Sequence, residues 1–578
     1  MGETDTSIWG WGEGARFLDE RDRRELARRL ETELGFPERP LLDPTPLESA
    51  SIPEPTLTVP SAFEDWCHTD RESRARHTYG KGYRDLVRGF HGDYGVAPDV
   101  VARPRSEDDV TDLLAWASDE RVAVIPFGGG TSVVGGVEPD LDGTGGPSPD
   151  GNPGQPDGAS KAEYAGVVSL DLRELNEVLA VDETSRRARI QAGALGPEIN
   201  AALGEAGLQL RHYPQSYEFS TLGGWIATRA GGHFGTVYTH IDDFVESVRA
   251  ITPAGTLETL DVPASGAGPD PNRFLLGSEG AFGVITEAWV RVQPRPRYRS
   301  RAAIRFESFD DGVQAAREIA QARLYPAACR LLDPVEVLLN DIDEDGTPRL
   351  VLGFEGLEHP VERDLERAIE ICARHDGTPV EGPTHEDRRD PKAGDEGEAD
   401  EGETAENGAD EGQSTDNDAA GADWRSSFVE APYLFNALVS LGVCVETVET
   451  AVTWDRFPAL HEAFRQRVTE TMVEHCQTGV VSCRFTHIYP DGPAPYYTLL
   501  APVDAGEEQD VWRAIKRTAS ETLADHEATI THHHAVGRVH RPWYEHEAPE
   551  AYLRALRSMK RTLDPAAIMN PGALVPPE

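Results

Sequence analysis

Residues Pro126 to Gly136 read PFGGGTSVVGG, and this run constrains the chain more than any other stretch. It follows Val122, Val124 and Ile125, an apolar stretch that predicts a buried strand. Three successive glycines and two hydroxyl residues then leave the strand end. Glycine lets a backbone turn through positive φ and come close to a ligand. Successive N–H groups with no side chains in the way form a concavity that suits a diphosphate. The hydroxyls of Thr131 and Ser132 add further donors. The spacing fits neither G-x-G-x-x-G nor G-x-x-x-x-G-K-[ST], so neither common nucleotide fingerprint applies. Taken alone, the run also fits a glycine-rich turn with no ligand.

Charge narrows the partners. The formal net charge is −46, from 101 acidic and 55 basic residues. Phosphate contacts need clustered Lys and Arg, which argues against nucleic acid. Lysine occurs only at Lys81, Lys161, Lys392, Lys516 and Lys560; the other basic residues are arginine. At ~1 M salt the Debye length is about 3 Å, so the self-repulsion of such a surface is largely screened. The composition therefore predicts a halophilic cytoplasm. No stretch approaches ~20 apolar residues, so no transmembrane span is expected. The N-terminal MGETDTSIWGWGEG lacks the basic and apolar regions of a signal peptide. Six cysteines without a C-x-x-C pair suggest buried thiols in a reducing compartment.

At 578 residues the chain should hold more than one domain. Residues 19–34 form a charged amphipathic helical pattern. Ser106 and Asp109 mark a capping-box-like start for a helix through about Asp119. Residues 141–163 are a Gly/Pro/Asp loop, expected to be mobile. Strands are expected at Val167–Leu170 and Arg189–Gln191, a helix at Pro197–Ala206, and a hairpin at 245–260 around T-P-A-G. After Pro296 the texture changes to a second α+β unit. Residues 382–423 are acidic and almost free of large apolar side chains, the composition of a disordered insertion. A helix at Pro549–Thr562 closes the chain.

Several segments together carry a resemblance. PFGGGTSV at 126–133, EFSTLGGWIATRAGG at 218–232, GSEGAFGVITEA at 277–288 and HHHAVG at 532–537 resemble the FAD-binding PCMH-type flavoproteins of the vanillyl-alcohol-oxidase superfamily. WGWG at 9–12, RHTYGKGYRDL at 76–86 and ETVETAVTWDR at 446–456 look most like its alkyldihydroxyacetonephosphate (alkylglycerone-phosphate) synthase branch. The resemblance implies an α+β protein: a two-subdomain FAD-binding PCMH-type domain, an α+β cap domain and a C-terminal helical segment. The expected divisions are an extension at 1–95, the FAD domain at 96–297, the cap at 298–540 and a returning segment at 541–578.

The same resemblance assigns cofactor residues. Pro126, Gly128, Gly129, Gly130, Thr131 and Ser132 would cradle the FAD diphosphate. Pro214, Thr221, Gly223, Gly224 and Thr228 would line its ribityl and ring part, and Glu279, Gly280, Gly283 and Ile285 its adenine side. Covalent members often carry His after the Gly run; Thr131 stands there, so FAD is expected to be non-covalent. In the branch the middle histidine, His533, is the acid/base beside the flavin. On a strand, His532 and His534 would share one face and His533 the other. A metal reading of this run lacks Asp, Glu or Cys at ligand spacing, and no metal is expected. Tyr496 falls where the branch keeps a catalytic Tyr, with a packed core aromatic as the alternative. Arg330, in ACRLLD, is either structural or reaches the flavin edge.

One position departs from the branch. Its P-Y-[IL]-R-D motif reads Pro432, Tyr433, Leu434, Phe435, Asn436 here. An Arg is the natural bidentate clamp for phosphate, and an apolar ring replaces it. Arg425 is the nearest candidate substitute. On this ground the leading expectation is a flavin-dependent oxidoreductase that oxidises a small hydroxylated substrate such as a 2-hydroxy acid. His533 would be the base, with hydride transfer to flavin N5. The alternative is a synthase-like transferase that exchanges acyl for alkyl on dihydroxyacetone phosphate through a flavin N5 adduct. The electron acceptor is not assigned, and a homodimer is left open.

Overall fold

The computed structural model describes residues 6–141, 164–234, 240–340, 342–343, 345–388 and 432–575. The expected mobile loop therefore falls outside the described residues from 142 to 163. Most of the acidic insertion, and Arg425 with it, does so as well.

The first sheet has four strands in the order Cys67–His68, Val100–Ala102, Gly166–Asp171, Val122–Phe127. The last three run parallel, and their residues are buried almost throughout, as both faces of a parallel sheet demand. The helix Glu107–Glu120 covers this sheet; the Ser106 hydroxyl accepts the Asp109 N–H at 3.2 Å and caps it. A second, antiparallel sheet orders Val178–Asp182, Arg187–Gln191, Val284–Arg291, Val245–Thr252, Gly255–Glu258. The last two strands form the expected hairpin.

The third sheet has eight strands and carries half of the site. Across it run Thr378–Pro379, Tyr298–Arg305, Arg349–Gly356, Ala328–Leu332, Val480–Ile488, Pro493–Pro502 and Val443–Glu449. The eighth strand, Thr384–Asp387, pairs with Tyr298–Arg305. It begins inside the acidic stretch that composition marks as disordered. Pairing with a neighbouring strand orders these residues where their own hydrophobicity does not.

The N-terminal region joins this sheet's core. Asp19 caps the helix Glu20–Leu34, which ends at Gly35 with φ 68°. Trp11, Leu30 and Tyr83 pack in one cluster with Val445, Leu500 and Trp512. Among the described residues no helix is long and apolar enough to cross a membrane.

Candidate functional site

A cavity of about 1300 Å³, counted with its open mouth, is lined by the loop that leaves the strand Val122–Phe127, by residues between Tyr213 and His233, and by the eight-stranded sheet. Gly128 to Val133 form one wall. A Cβ on Gly129 would overlap the carbonyl oxygen of Phe219, and one on Gly128 the Thr221 hydroxyl. Gly130 has φ +66°, a conformation that suits glycine. The glycines are thus needed first for close packing of two loops. The consequence is chemical: the N–H groups of residues 128–133 donate to no acceptor among the described residues. A run of free donors facing a cavity fits a diphosphate and is costly without one.

The opposite wall holds the histidine run. It lies in a bend instead of a strand, so the expected alternation of faces does not occur. The reason is Glu449, which gathers the backbone. Its Oε2 accepts the N–H of His532 and, at 3.1 Å, that of His533; its Oε1 accepts the His534 N–H at 2.9 Å. The Thr531 hydroxyl adds a fourth bond at 2.6 Å. Burial works against ionisation of Glu449, yet the neighbouring histidines and Thr531 hold its carboxyl well below the usual range. His533 and His534 face the cavity, whereas His532 turns behind it toward Tyr489 and His240. Burial pushes His533 down to about 3.

Strand register supplies the rest. Arg484, Tyr496 and Glu449 stand opposite one another on three adjacent strands. The Arg484 guanidinium lies 4.0 Å from the centre of the Tyr496 ring, and that ring is nearly parallel to His533, 6.1 Å away. Arg484 also donates to Glu336 at 3.0 Å. Arg330 is 2% exposed, faces the same cavity and donates to the His233 carbonyl at 2.9 Å. Burial, and then repulsion from Arg484, lowers it to about 9.

The departing pair has two separate roles. Phe435 faces the cavity from the helix spanning 432–440. Asn436 points away and holds the N-terminal segment: its Oδ1 accepts the Trp11 N–H at 2.8 Å, and its Nδ2 donates to the Trp11 carbonyl at 3.0 Å. Trp11 also lines the cavity.

Most residues singled out in the sequence meet here. Pro214, Thr221, Gly224 and Thr228 line the cavity beside the Gly run. Pro126, Gly223, Glu279, Gly280, Gly283 and Ile285 do not line it. Glu279 instead accepts the N–H groups of Val536 and Gly537 at 2.9 and 2.7 Å, and Pro126 packs on Gly280. Glu449, Arg484, His487 and His240 escape sequence reasoning as site residues. Alternation along ETVET marks Thr447 and Glu449 as sharing a face, but nothing local says which face meets the cavity.

Comparison with known proteins shows the family and the fold. Residues 98–144 and 155–261 match the FAD binding domain family, and residues 295–574 match the FAD linked oxidases, C-terminal domain. The alkyldihydroxyacetonephosphate synthase of Dictyostelium discoideum is 30% identical over 89% of this chain and 79% of its own length. That of Trypanosoma brucei brucei is 29% identical over 91% and 82%. A solved alkyldihydroxyacetonephosphate synthase superposes with a TM-score of 0.74 at 25% identity, covering 98% of both chains. These likenesses overturn the leading expectation of a hydroxy-acid oxidoreductase. That expectation rested on the loss of an arginine at Phe435, but Arg330 and Arg484 still bring two guanidinium groups to the cavity.

Proposed function

The chain belongs to the FAD-binding PCMH-type flavoproteins, in the alkyldihydroxyacetonephosphate synthase branch, and from that premise we propose that it exchanges acyl for alkyl on dihydroxyacetone phosphate. FAD is its cofactor. The free N–H groups of residues 128–133 would hold the diphosphate, with Thr221, Gly224 and Thr228 along the ring side. When bound, FAD supplies a ring that carries the exchange without net oxidation or reduction. Thr131 stands where covalent members carry His, so the cofactor is held without a covalent bond. Acid precipitation should leave the colour in the supernatant.

The protein's own groups divide the remaining work. His533 takes and returns the substrate proton, because it faces the cavity and Glu449 fixes its backbone. The Tyr496 hydroxyl orients a substrate oxygen. Arg330 and Arg484 take the phosphate in place of the arginine absent at Phe435. The domain divisions expected from the sequence are kept in this reading, with 96–297 holding the cofactor and 298–540 covering it.

The observation that carries the proposal is the presence of two arginines on the cavity that also holds His533 and Tyr496. The test is to supply purified yellow protein with acyl-dihydroxyacetone phosphate and a long-chain alcohol, and to score the ether product. Arg484→Gln should raise KM for the phosphate substrate about tenfold or more while retaining flavin. Absence of ether, together with anaerobic bleaching by D-lactate or glycolate, would sink the transferase reading.

A further inference from the structure

At the edge of the cavity three imidazoles converge, two of them on its lining. His487, His532 and His533 each bring a ring nitrogen to within 4.8 Å of the others. His487 sits on the strand Val480–Ile488, next to a register shift after Phe485, and is 3% exposed. Its Nε2 is buried with no hydrogen-bond partner, whereas its Nδ1 lies 3.0 Å from the Thr486 hydroxyl. The Nδ1 atoms of His532 and His533 face each other at 3.1 Å. Two such nitrogens can share only one proton between them. The other nitrogen of His532, Nε2, lies 2.7 Å from the Tyr489 hydroxyl.

We propose that these three histidines form a binding site for a divalent transition cation of the Zn²⁺ class. The ligand atoms are His487 Nε2, His532 Nδ1 and His533 Nδ1. Imidazole nitrogen suits this class of ion, and three such ligands leave a fourth position open. That position faces the cavity, because His487 and His533 both line it. The outer contacts are those a bound metal needs. The Thr486 and Tyr489 hydroxyls lie within hydrogen-bond reach of the non-ligating nitrogens of His487 and His532, where they can accept the proton that a metal-bound imidazole carries on its other nitrogen. Glu449, with Oε2 3.6 Å from His533 Nδ1, supplies a buried negative charge. Binding displaces the proton shared by the two Nδ1 atoms. The histidine run alone gave no such site; the third ligand comes from a strand more than forty residues away in sequence.

Occupancy takes His533 out of proton transfer, so the ion inhibits the enzyme. This consequence rests on the transferase reading; the binding itself does not.

The test is calorimetric titration of chelator-treated holoprotein with Zn²⁺. One site per chain, tighter than the diffuse binding of the acidic surface, is expected. His487→Gln should weaken it roughly a hundredfold. Tyr489→Phe keeps all three imidazoles and should weaken it about tenfold. His375→Gln, at a partly exposed histidine bonded to Glu318, should leave it unchanged. Absence of a stoichiometric site, or equal affinity in His487→Gln with flavin content retained, overturns the proposal. Full occupancy with undiminished turnover would instead remove the proton role of His533 and leave the metal site standing.

Discussion

Glu449 holds His533 through the backbone, accepting its N–H at 3.1 Å on the oxygen that lies 3.6 Å from the same residue's Nδ1. A buried carboxylate thus sets the position of the imidazole that faces the cavity. It does so by replacing the regular strand that the sequence around His533 suggests.

Removing that carboxylate should be expensive. Glu449→Ala strands the N–H groups of His532, His533 and His534 inside the protein. A loss of about 3 kcal/mol or more in unfolding free energy is expected. Glu449→Gln keeps one acceptor oxygen and should lose about half as much. Urea midpoints at constant m-value measure both.

Glu279 makes stability depend on pH. Burial raises its carboxyl from 4.5 to about 7, against the opposing bonds from Val536 and Gly537. The folded state therefore binds this proton more tightly than the unfolded state. Its contribution to stability is present below pH 4.5, falls as pH rises through 7, and is flat above. The change is about 3 kcal/mol across that window. Glu279→Gln should remove this slope when the two pH profiles are subtracted, and identical profiles would contradict it.

Phe435 lies on the cavity at the position where the synthase motif places an arginine. Phe435→Arg should add a third guanidinium and lower KM for a phosphate-bearing substrate about tenfold. Asn436 and its two bonds to Trp11 are untouched by this change. An unchanged KM would place the phosphate elsewhere in the cavity.

The acidic surface should make folding depend on salt. With a net charge of −46, self-repulsion weakens as the Debye length shrinks to about 3 Å near 1 M salt. The thermal midpoint should rise steadily from low salt into molar KCl. A flat or falling curve would end the halophilic reading.

The sequence by itself determined the glycine wall of the cavity. Gly128 to Ser132 are contiguous, and their chemistry is local: small residues, free N–H groups and two hydroxyls at a strand end. The helix end at Ser106 was legible for the same reason, since a cap and its N–H lie three residues apart. The helix and hairpin around the second sheet followed likewise from short-range pattern. What only the tertiary structure decided is the wall opposite. Arg484, Tyr496 and Glu449 meet because strand register sets them side by side, and His487 joins His532 and His533 across a bend. No spacing along the chain encodes such meetings, because pairing across a sheet depends on which face is buried. For that reason the sequence weighed the lost arginine at Phe435 too heavily, while the folded chain carries Arg330 and Arg484 to the same cavity.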